Sequence, residues 1–413
     1  MIDRYGTVDR VYSSSESYGA VIGGRASRPA GPPLDQWQTA GFLAWSMQNI
    51  ASFLPVRAIP RGARTTPFGR APQDLSALPV ELPWDAGRST FADVMATTAT
   101  DAWIVTKDGV IVGEEYVEPM APQGVHLLMS VSKSLTTATA GALMGSGELD
   151  ASHAVSAYVT SLASSGYAGA TVRDLIDMRT GIRFSEDYLD PAAEVRLLEE
   201  AIGWAPHVHE GVPDTLLGFL STLVADRIHG GRFDYKSCET DALGFVIEGA
   251  TGRHPADVMS ERLWQPMGAE LDAHVGIDSV GEGMFDGGVS AGLRDLARFG
   301  SLFVRDGYAL DGVPVLPAWW VADTVEGAPD SRAAFAASSS PTLMPGGMYR
   351  NGFWFPREGS DVFLALGIHG QMIYIDRASR VVAAKLSTWT SPQDGEKLLA
   401  TIAAFDAAAR ALA

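Results

Sequence analysis

The sequence predicts an α/β fold in which an antiparallel sheet flanked by helices is assembled from both ends of the chain, with an all-α domain inserted between the N- and C-terminal strands. Three observations carry this expectation. A pair of β-branched runs sits at 103–117, strand-like runs become scarce from 150 to about 280, and they return at 363–388 ahead of an alanine-rich terminal segment. With 413 residues and 46% hydrophobic side chains, the chain can bury a large core.

Taken in order, residues 1–85 are rich in Gly, Pro, Ser and Arg, with broken periodicity through RASRPAGPPLD and RGARTTPFGRAPQD. This reads as an extended arm with little regular structure, packed onto the body. The segment WIVTKDGVIVGEEYV joins its two runs through Lys107-Asp108-Gly109, and Asp-Gly is a strong hairpin turn. From Ser130 to Asp150, apolar and small residues recur at helical spacing and stop at Gly145 and Gly147, which predicts a buried helix. ATVRDLIDMRTGI, PDTLLGFLSTLVADRI and ETDALGFVIEGATG read as helices of the insertion. The run FLALGIHGQMIYIDRASRVVAAKLST then predicts two or three strands, and residues 396–413 a closing helix. The expected division is an arm at 1–85, an α/β domain from 86–150 and 275–413, and a helical domain at 151–274. A cleft is expected between the two domains.

Composition excludes several function classes. A formal net charge of −18 repels polyanions, so neither nucleic acid nor an anionic membrane face is an expected partner. The single cysteine, Cys238, cannot form an internal disulfide and reads as a small buried apolar residue. No Cys/His cluster has zinc-ligand spacing, and no metal or organic cofactor is expected. The N-terminus lacks the apolar core of an export signal and no segment offers ~18 consecutive apolar residues, so a cytoplasmic location is expected.

The chemistry centres on Ser130-Val131-Ser132-Lys133. Residues three apart on a helix share a face, so the Lys133 amine can reach the Ser130 hydroxyl. Ser130 stands at the first turn, where the helix N-terminus favours developing negative charge. Lysine works as a base only when its surroundings depress its pKa, and the uncharged flanks HLLM and SLTTATAGALM supply burial. The chain has five lysines (Lys107, Lys133, Lys236, Lys385 and Lys397), and Lys133 alone stands in an uncharged apolar helix. Burying an unpaired ammonium costs several kcal/mol, so a lysine there needs a reason. The competing reading is a snorkelling surface lysine. Further along, Phe233-Asp234-Tyr235-Lys236-Ser237 opens a helix; Tyr235 is either a proton shuttle or a core tyrosine with a satisfied hydroxyl.

Four segments, HLLMSVSKSLTTATAGALMGSGELD, ATVRDLIDMRTGI, FDYKSCETDALGFVIEGATG and GGVSAGLRDLARFG, occur in the order and spacing of serine β-lactamase-like proteins. The chain thus resembles that group, which spans class C β-lactamases, D-alanyl-D-alanine carboxypeptidases and family VIII carboxylesterases. MSVSKSL, EDYLDPAAEV, GGVSAGLRDLAR, GIHGQ and VAAKLSTW are most similar to the 6-aminohexanoate-dimer (nylon-oligomer) hydrolase subfamily, over roughly residues 35–390. The resemblance implies that Ser130 forms an acyl-enzyme while Lys133 and Tyr235 relay protons. It implies an oxyanion hole made of the backbone N–H groups of Ser130 and Ile368. It implies that Tyr188 covers the cleft and contacts the scissile amide, that Glu199 pairs with a substrate ammonium, and that Trp204, Asp286, Trp354 and His369 lie at or near the cleft. Relatives of this type often form homodimers.

The sequence also departs from the wider group. Tyr235-Lys236-Ser237 replaces Tyr-x-Asn, and Gly367-Ile368-His369-Gly370 stands where Lys-Thr-Gly is usual. A β-lactam or D-Ala-D-Ala carboxylate is therefore not the expected ligand, and a small linear amide or ester is. There is no counterpart of the class A glutamate that activates water. Gly288-Val289-Ser290-Ala291-Gly292 matches G-x-S-x-G, but GEGMFDG before it is a loop rather than a strand, so Ser290 reads as part of a structural turn. His207, His209 and Glu210 read as a solvated loop rather than a metal site. The expected function is hydrolysis of short linear amides or short-chain esters. A carboxylesterase with little amidase activity and a non-catalytic binding protein on the same scaffold are the alternatives.

Overall fold

The computed structural model describes residues 31–338 and 343–413, with the backbone alone at 85–88. The strands along the first part of the chain are β1 (Val56–Ile59), β2 (Gly69–Arg70), β3 (Pro79–Leu82), β4 (Asp85–Thr90), β5 (Thr100–Lys107), β6 (Val110–Tyr116) and β7 (His126–Leu127). After the helical insertion come β8 (Ala273–Gly276), β9 (Val289–Ala291), β10 (Met348–Arg350), β11 (Phe353–Phe355), β12 (Val362–Gly367), β13 (Gln371–Asp376) and β14 (Val381–Ser387). Five helices position the core and the site: α1 (Phe91–Thr97), α2 (Val131–Ser146), α3 (Ser237–Thr251), α4 (Leu293–Val304) and α5 (Gly395–Leu412).

Eight strands form the main sheet in the order β10-β11-β12-β13-β14-β5-β6-β2. The β5–β6 hairpin turns at Asp108 (φ 52) and Gly109 (φ 78), left-handed positions that Asp and Gly accept at little cost. The sheet is closed by β14 pairing antiparallel with β5, where Lys385 faces Trp103, so the two chain ends meet as expected. Its pairs are antiparallel except at one edge, where the two-residue β2 runs parallel to β6.

Side chains alternate between the two faces of the sheet. Ile104, Ile373, Val382, Ala384 and Leu386 join a core shared with α2 and α4, whereas Trp103, Val105, Met372, Tyr374, Val381 and Ala383 join one shared with α1 and α5. The alternation is what a sheet covered on both sides requires. The four-stranded sheet β1-β8-β9-β7 ties the early chain to the segments around α2.

The arm is more regular than its composition suggests. Beyond the first thirty residues, which lie outside the described residues, it holds a helix at Leu43–Asn49 and the strands β1, β2 and β3. The pairing of β1 with β8 gives the reason: a short Val-Arg-Ala-Ile run becomes a strand when a sheet edge offers a partner, whatever its own periodicity.

Candidate active site

Helix α2 opens at Ser130, whose backbone is helical (φ −68, ψ −3) and whose side chain does not cap the helix. A serine at this position usually bonds a backbone N–H of the first turn. Here its Oγ accepts from Lys133 Nζ at 2.9 Å instead. Met129, just before it, takes a left-handed conformation (φ 47), uncommon for a residue with a long side chain.

Lys133 is 1% exposed. Its Nζ also donates to Ser237 Oγ at 3.0 Å and to the Asp286 backbone carbonyl at 2.9 Å, with Asp286 Oδ2 at 3.5 Å. Three near acceptors satisfy the three directions of the amine, which is how a buried lysine escapes the cost of an unpaired charge. The ring of Tyr235 lies 5.1 Å below the same nitrogen, with Ser130 near enough to its hydroxyl to hold the phenol's pKa down in part. Trp354 packs on Tyr235 at 5.2 Å between ring centres, and Tyr349 meets it edge-on at 6.0 Å, so the phenol is fixed in one orientation. Burial first, then the nearby Glu186 carboxyl, pushes the Tyr235 phenol well above its ordinary value.

These groups open onto a cavity of about 500 Å³. Ser130, Tyr235, Tyr188 and Ile368 line it, with an apolar wall that includes Trp354, Leu366 and Leu398. Ile368 sits in the tight turn between β12 and β13, not within a strand, and His369 after it is left-handed (φ 60). The two residues whose N–H groups are candidates for an oxyanion hole are thus each flanked by a strained neighbour. Gly367 presses close to both: a Cβ there would lie 3.1 Å from the Ser130 nitrogen.

Tyr188 donates its hydroxyl to Glu186 Oε2 at 2.6 Å. Glu186 Oε1 accepts the Ser237 backbone N–H at the start of α3, a carboxylate at a helix N-terminus. Burial raises the Glu186 carboxyl above the usual carboxylate range, and the positive charge of Lys133 opposes this only in part. Sequence reasoning passed over Glu186, although it stands two residues before Tyr188.

Four residues expected at the cleft have other surroundings. Asp286 is buried and reaches Lys133 mainly through its carbonyl, while its N–H donates to Asp241 Oδ1 at 3.0 Å. Burial and the adjacent Asp286 raise Asp241 well above the usual range, which favours its protonated form. Glu199 is neutralised by Arg196 at 2.8 Å and accepts from Gln38 at 2.9 Å, so its charge is already paired. Trp204 is buried against Trp37, whose Nε1 donates to the Trp204 carbonyl at 2.8 Å, and so packs under the arm rather than in the cavity. His369 turns inward: its Nδ1 lies 2.7 Å from the Trp389 carbonyl, and burial lowers its pKa to about 4, leaving a neutral ring. Trp354 does line the cavity.

The decoys fall elsewhere. Ser290 lies buried within β9 and does not line the cavity. His209 bonds Glu200 at 2.6 Å and His207 faces Asp214 at 3.6 Å, anchoring a loop, and among the described residues no group of three or more His, Cys, Asp or Glu could hold a metal. Cys238 is buried and unbridged. Lys236 is held by the Thr180 carbonyl at 2.7 Å and Glu239 at 2.7 Å, a structural ion pair beside the site. Among the described residues no helix is long and apolar enough to cross a membrane.

The beta-lactamase family profile matches residues 88–407. The chain is 35% identical over 361 residues to a 6-aminohexanoate-dimer hydrolase of Paenarthrobacter ureafaciens, covering 87% of this chain and 89% of that one. In fold it is similar to a Bacillus anthracis protein described as a 6-aminohexanoate-dimer hydrolase, at 24% identity over 92% of this chain and 96% of that one, with a TM-score of 0.83. A family VIII carboxylesterase is similar at 15% identity, 77% and 96% coverage and a TM-score of 0.57. With a hydroxyl, a buried amine and a phenol meeting at one end of a cavity, and a family match over most of its length, the chain belongs to the beta-lactamase family of serine hydrolases.

Proposed function

We propose that the protein hydrolyses short linear amides of the 6-aminohexanoate-oligomer type, together with short-chain esters, through an acyl-enzyme on Ser130. The observation that carries this reading is the 2.9 Å contact between Ser130 Oγ and a lysine amine buried beside a cavity with an apolar wall. Ser130 attacks the carbonyl carbon, and its proton enters a relay through Lys133 and Tyr235, Lys133 passing on one proton as it takes up another. The raised pKa of Tyr235 keeps the phenol neutral, so it hands its own proton to the leaving group and regains one through the relay. The N–H groups of Ser130 and Ile368 receive the oxyanion. In the second half-reaction water takes the place of the leaving group, and the same pair returns the proton to Ser130.

Ser130→Ala is expected to abolish turnover of a p-nitrophenyl acyl ester and labelling by a phosphonate probe, whereas Ser290→Ala leaves both largely intact. The reverse result overturns the assignment, and an unmodified protein with neither activity points to a binding protein on the same scaffold. An esterase with little amidase activity is the second reading. It is favoured by the pairing of Glu199 with Arg196, which leaves that carboxylate no free charge for a substrate ammonium. Comparing kcat/KM for the 6-aminohexanoate linear dimer and a short-chain ester separates the two.

A further inference from the structure

Asp241 stands on α3 with no exposed surface, and its Oδ1 accepts the Asp286 N–H at 3.0 Å. Its other oxygen, Oδ2, has no hydrogen-bond partner among the described residues, and neither has Asp286 Oδ1. Two neighbouring buried carboxyls thus each keep one oxygen without a donor. A carboxylate only accepts, so an ionised pair would leave both oxygens unsatisfied, whereas a protonated carboxyl brings the missing donor itself. What holds the charge differs between the two. Asp286 Oδ2 lies 3.5 Å from the Lys133 amine. Asp241 is opposed first by burial and then by the Asp286 charge, and the Lys133 amine relieves it less than either. The other groups around it offer no free cation: the Tyr167 hydroxyl donates to the Cys238 carbonyl at 3.0 Å, and Glu239, on the same helix, is paired with Lys236 at 2.7 Å. Glu186 also feels the Lys133 charge, and burial pushes that carboxyl up as well.

Resting on the acyl-enzyme reading above, we propose that Asp241 is a positioning residue that works as an uncharged acid: its Oδ1 anchors the Asp286 backbone, and its proton keeps the carboxyl pair at a single negative charge. The anchor matters because the Asp286 N–H and carbonyl belong to one residue. Holding the N–H aims the carbonyl that receives Lys133 at 2.9 Å. The proton matters because a second charge on the pair would hold the Lys133 proton more tightly and slow its passage to Tyr235. Raising the pH strips the proton from Asp241, so that charge appears, and hydrolysis falls, on the alkaline side.

Asp241→Asn is the closest neutral copy of that acid: its carbonyl can still accept the Asp286 N–H, and its amide carries no charge at any pH. At pH 7 the infrared difference between unmodified protein and Asp241→Asn should contain the carbonyl stretch of a protonated carboxyl, contributed by the unmodified protein. The pH at which kcat/KM for a p-nitrophenyl ester falls to half on its alkaline side should rise by about half a unit or more in the variant. A residue that served only as an anchor would move neither readout, because Asn anchors as well. Absence of the band, a smaller rise of the alkaline midpoint, or failure of so close a neutral copy to fold overturns the proposal. The band needs no turnover, so its presence in an unmodified protein that does not hydrolyse the ester faults the acyl-enzyme reading while confirming the uncharged Asp241.

Discussion

Gly367→Ala probes the proposed oxyanion hole with a single methyl group. A Cβ at this position would lie 2.5 Å from the Leu128 carbonyl oxygen, 3.0 Å from Gln371 Cβ and 3.1 Å from the Ser130 nitrogen. Non-bonded carbon contacts settle nearer ~3.5 Å, so something must move by roughly 0.5–1 Å, and the closest atom is backbone, not the end of a flexible side chain. The β12–β13 turn carrying Ile368 and the strand end before Ser130 are what can separate, and separation pulls the two N–H groups off a common point. Misplacement on that scale costs about 100-fold, and loss of one oxyanion donor about 100- to 1,000-fold in kcat, or roughly 3–4 kcal/mol of transition-state stabilisation. The accompanying overpacking lowers stability by about 1–3 kcal/mol. Stopped-flow acylation with a p-nitrophenyl ester, active-site counting with a phosphonate and a thermal melt separate the two effects. Gly287→Ala is the matched control, since a Cβ there meets Met284 only at 3.7 Å and the Met129 backbone at 3.9 Å. Acylation of Gly367→Ala within threefold of the unmodified rate, in a protein that melts normally, would refute the placement of the oxyanion at Ser130 and Ile368.

Two further outcomes are expected. Ser237→Ala removes an acceptor 3.0 Å from Lys133 Nζ and should reduce kcat/KM about 10- to 100-fold, the worth of a buried hydrogen bond to an ionisable group, read from ester and amide progress curves. Lys385, fully buried and bonded to the Thr98 carbonyl at 3.1 Å, has its pKa lowered by burial from 10.5 to about 7. Between those values the unfolded chain binds more protons than the folded one, so stability rises with pH across that window, by at most ~5 kcal/mol at ~1.4 kcal/mol per pH unit, and Lys385 contributes no slope below about pH 7. Urea midpoints at pH 7 and pH 9.5 should show a rise that Lys385→Met loses; an equal rise in the variant sinks the argument.

How much of the molecule was legible in its sequence depends on how local each cause is. Ser130 and Lys133 could be paired because helical spacing alone puts three-apart residues on one face. The β5–β6 hairpin could be placed because Asp108-Gly109 dictates its own turn. Glu186 was not visible, because its role depends on a loop bringing it to the first N–H of a helix fifty residues on. Asp286 and Glu199 illustrate a different failure: sequence position locates a residue near the site but not which of its atoms faces it. Asp286 acts through its carbonyl, and Glu199 is consumed by Arg196 on the same helix. Trp204 was misplaced because its partner, Trp37, comes from an arm whose composition gave no sign of regular structure.

The pairing of β14 with β5 has a meaning for assembly as well as for shape. It joins residues far apart in the chain, Lys385 with Trp103 and Val382 with Thr106, in the sheet whose β12–β13 turn brings Gly367 against Ser130. Contacts of such sequence separation form late, after loop-closure entropy has been overcome. The helix carrying Ser130 and Lys133 is a local structure, whereas the proposed hole for the oxyanion requires this long-range pairing. A chain that has acquired its helices but not this seam holds a hydroxyl and an amine with nothing to receive the charge they create. On the proposed mechanism, hydrolysis is therefore a property of the finished sheet, in which the two ends of the fold have met.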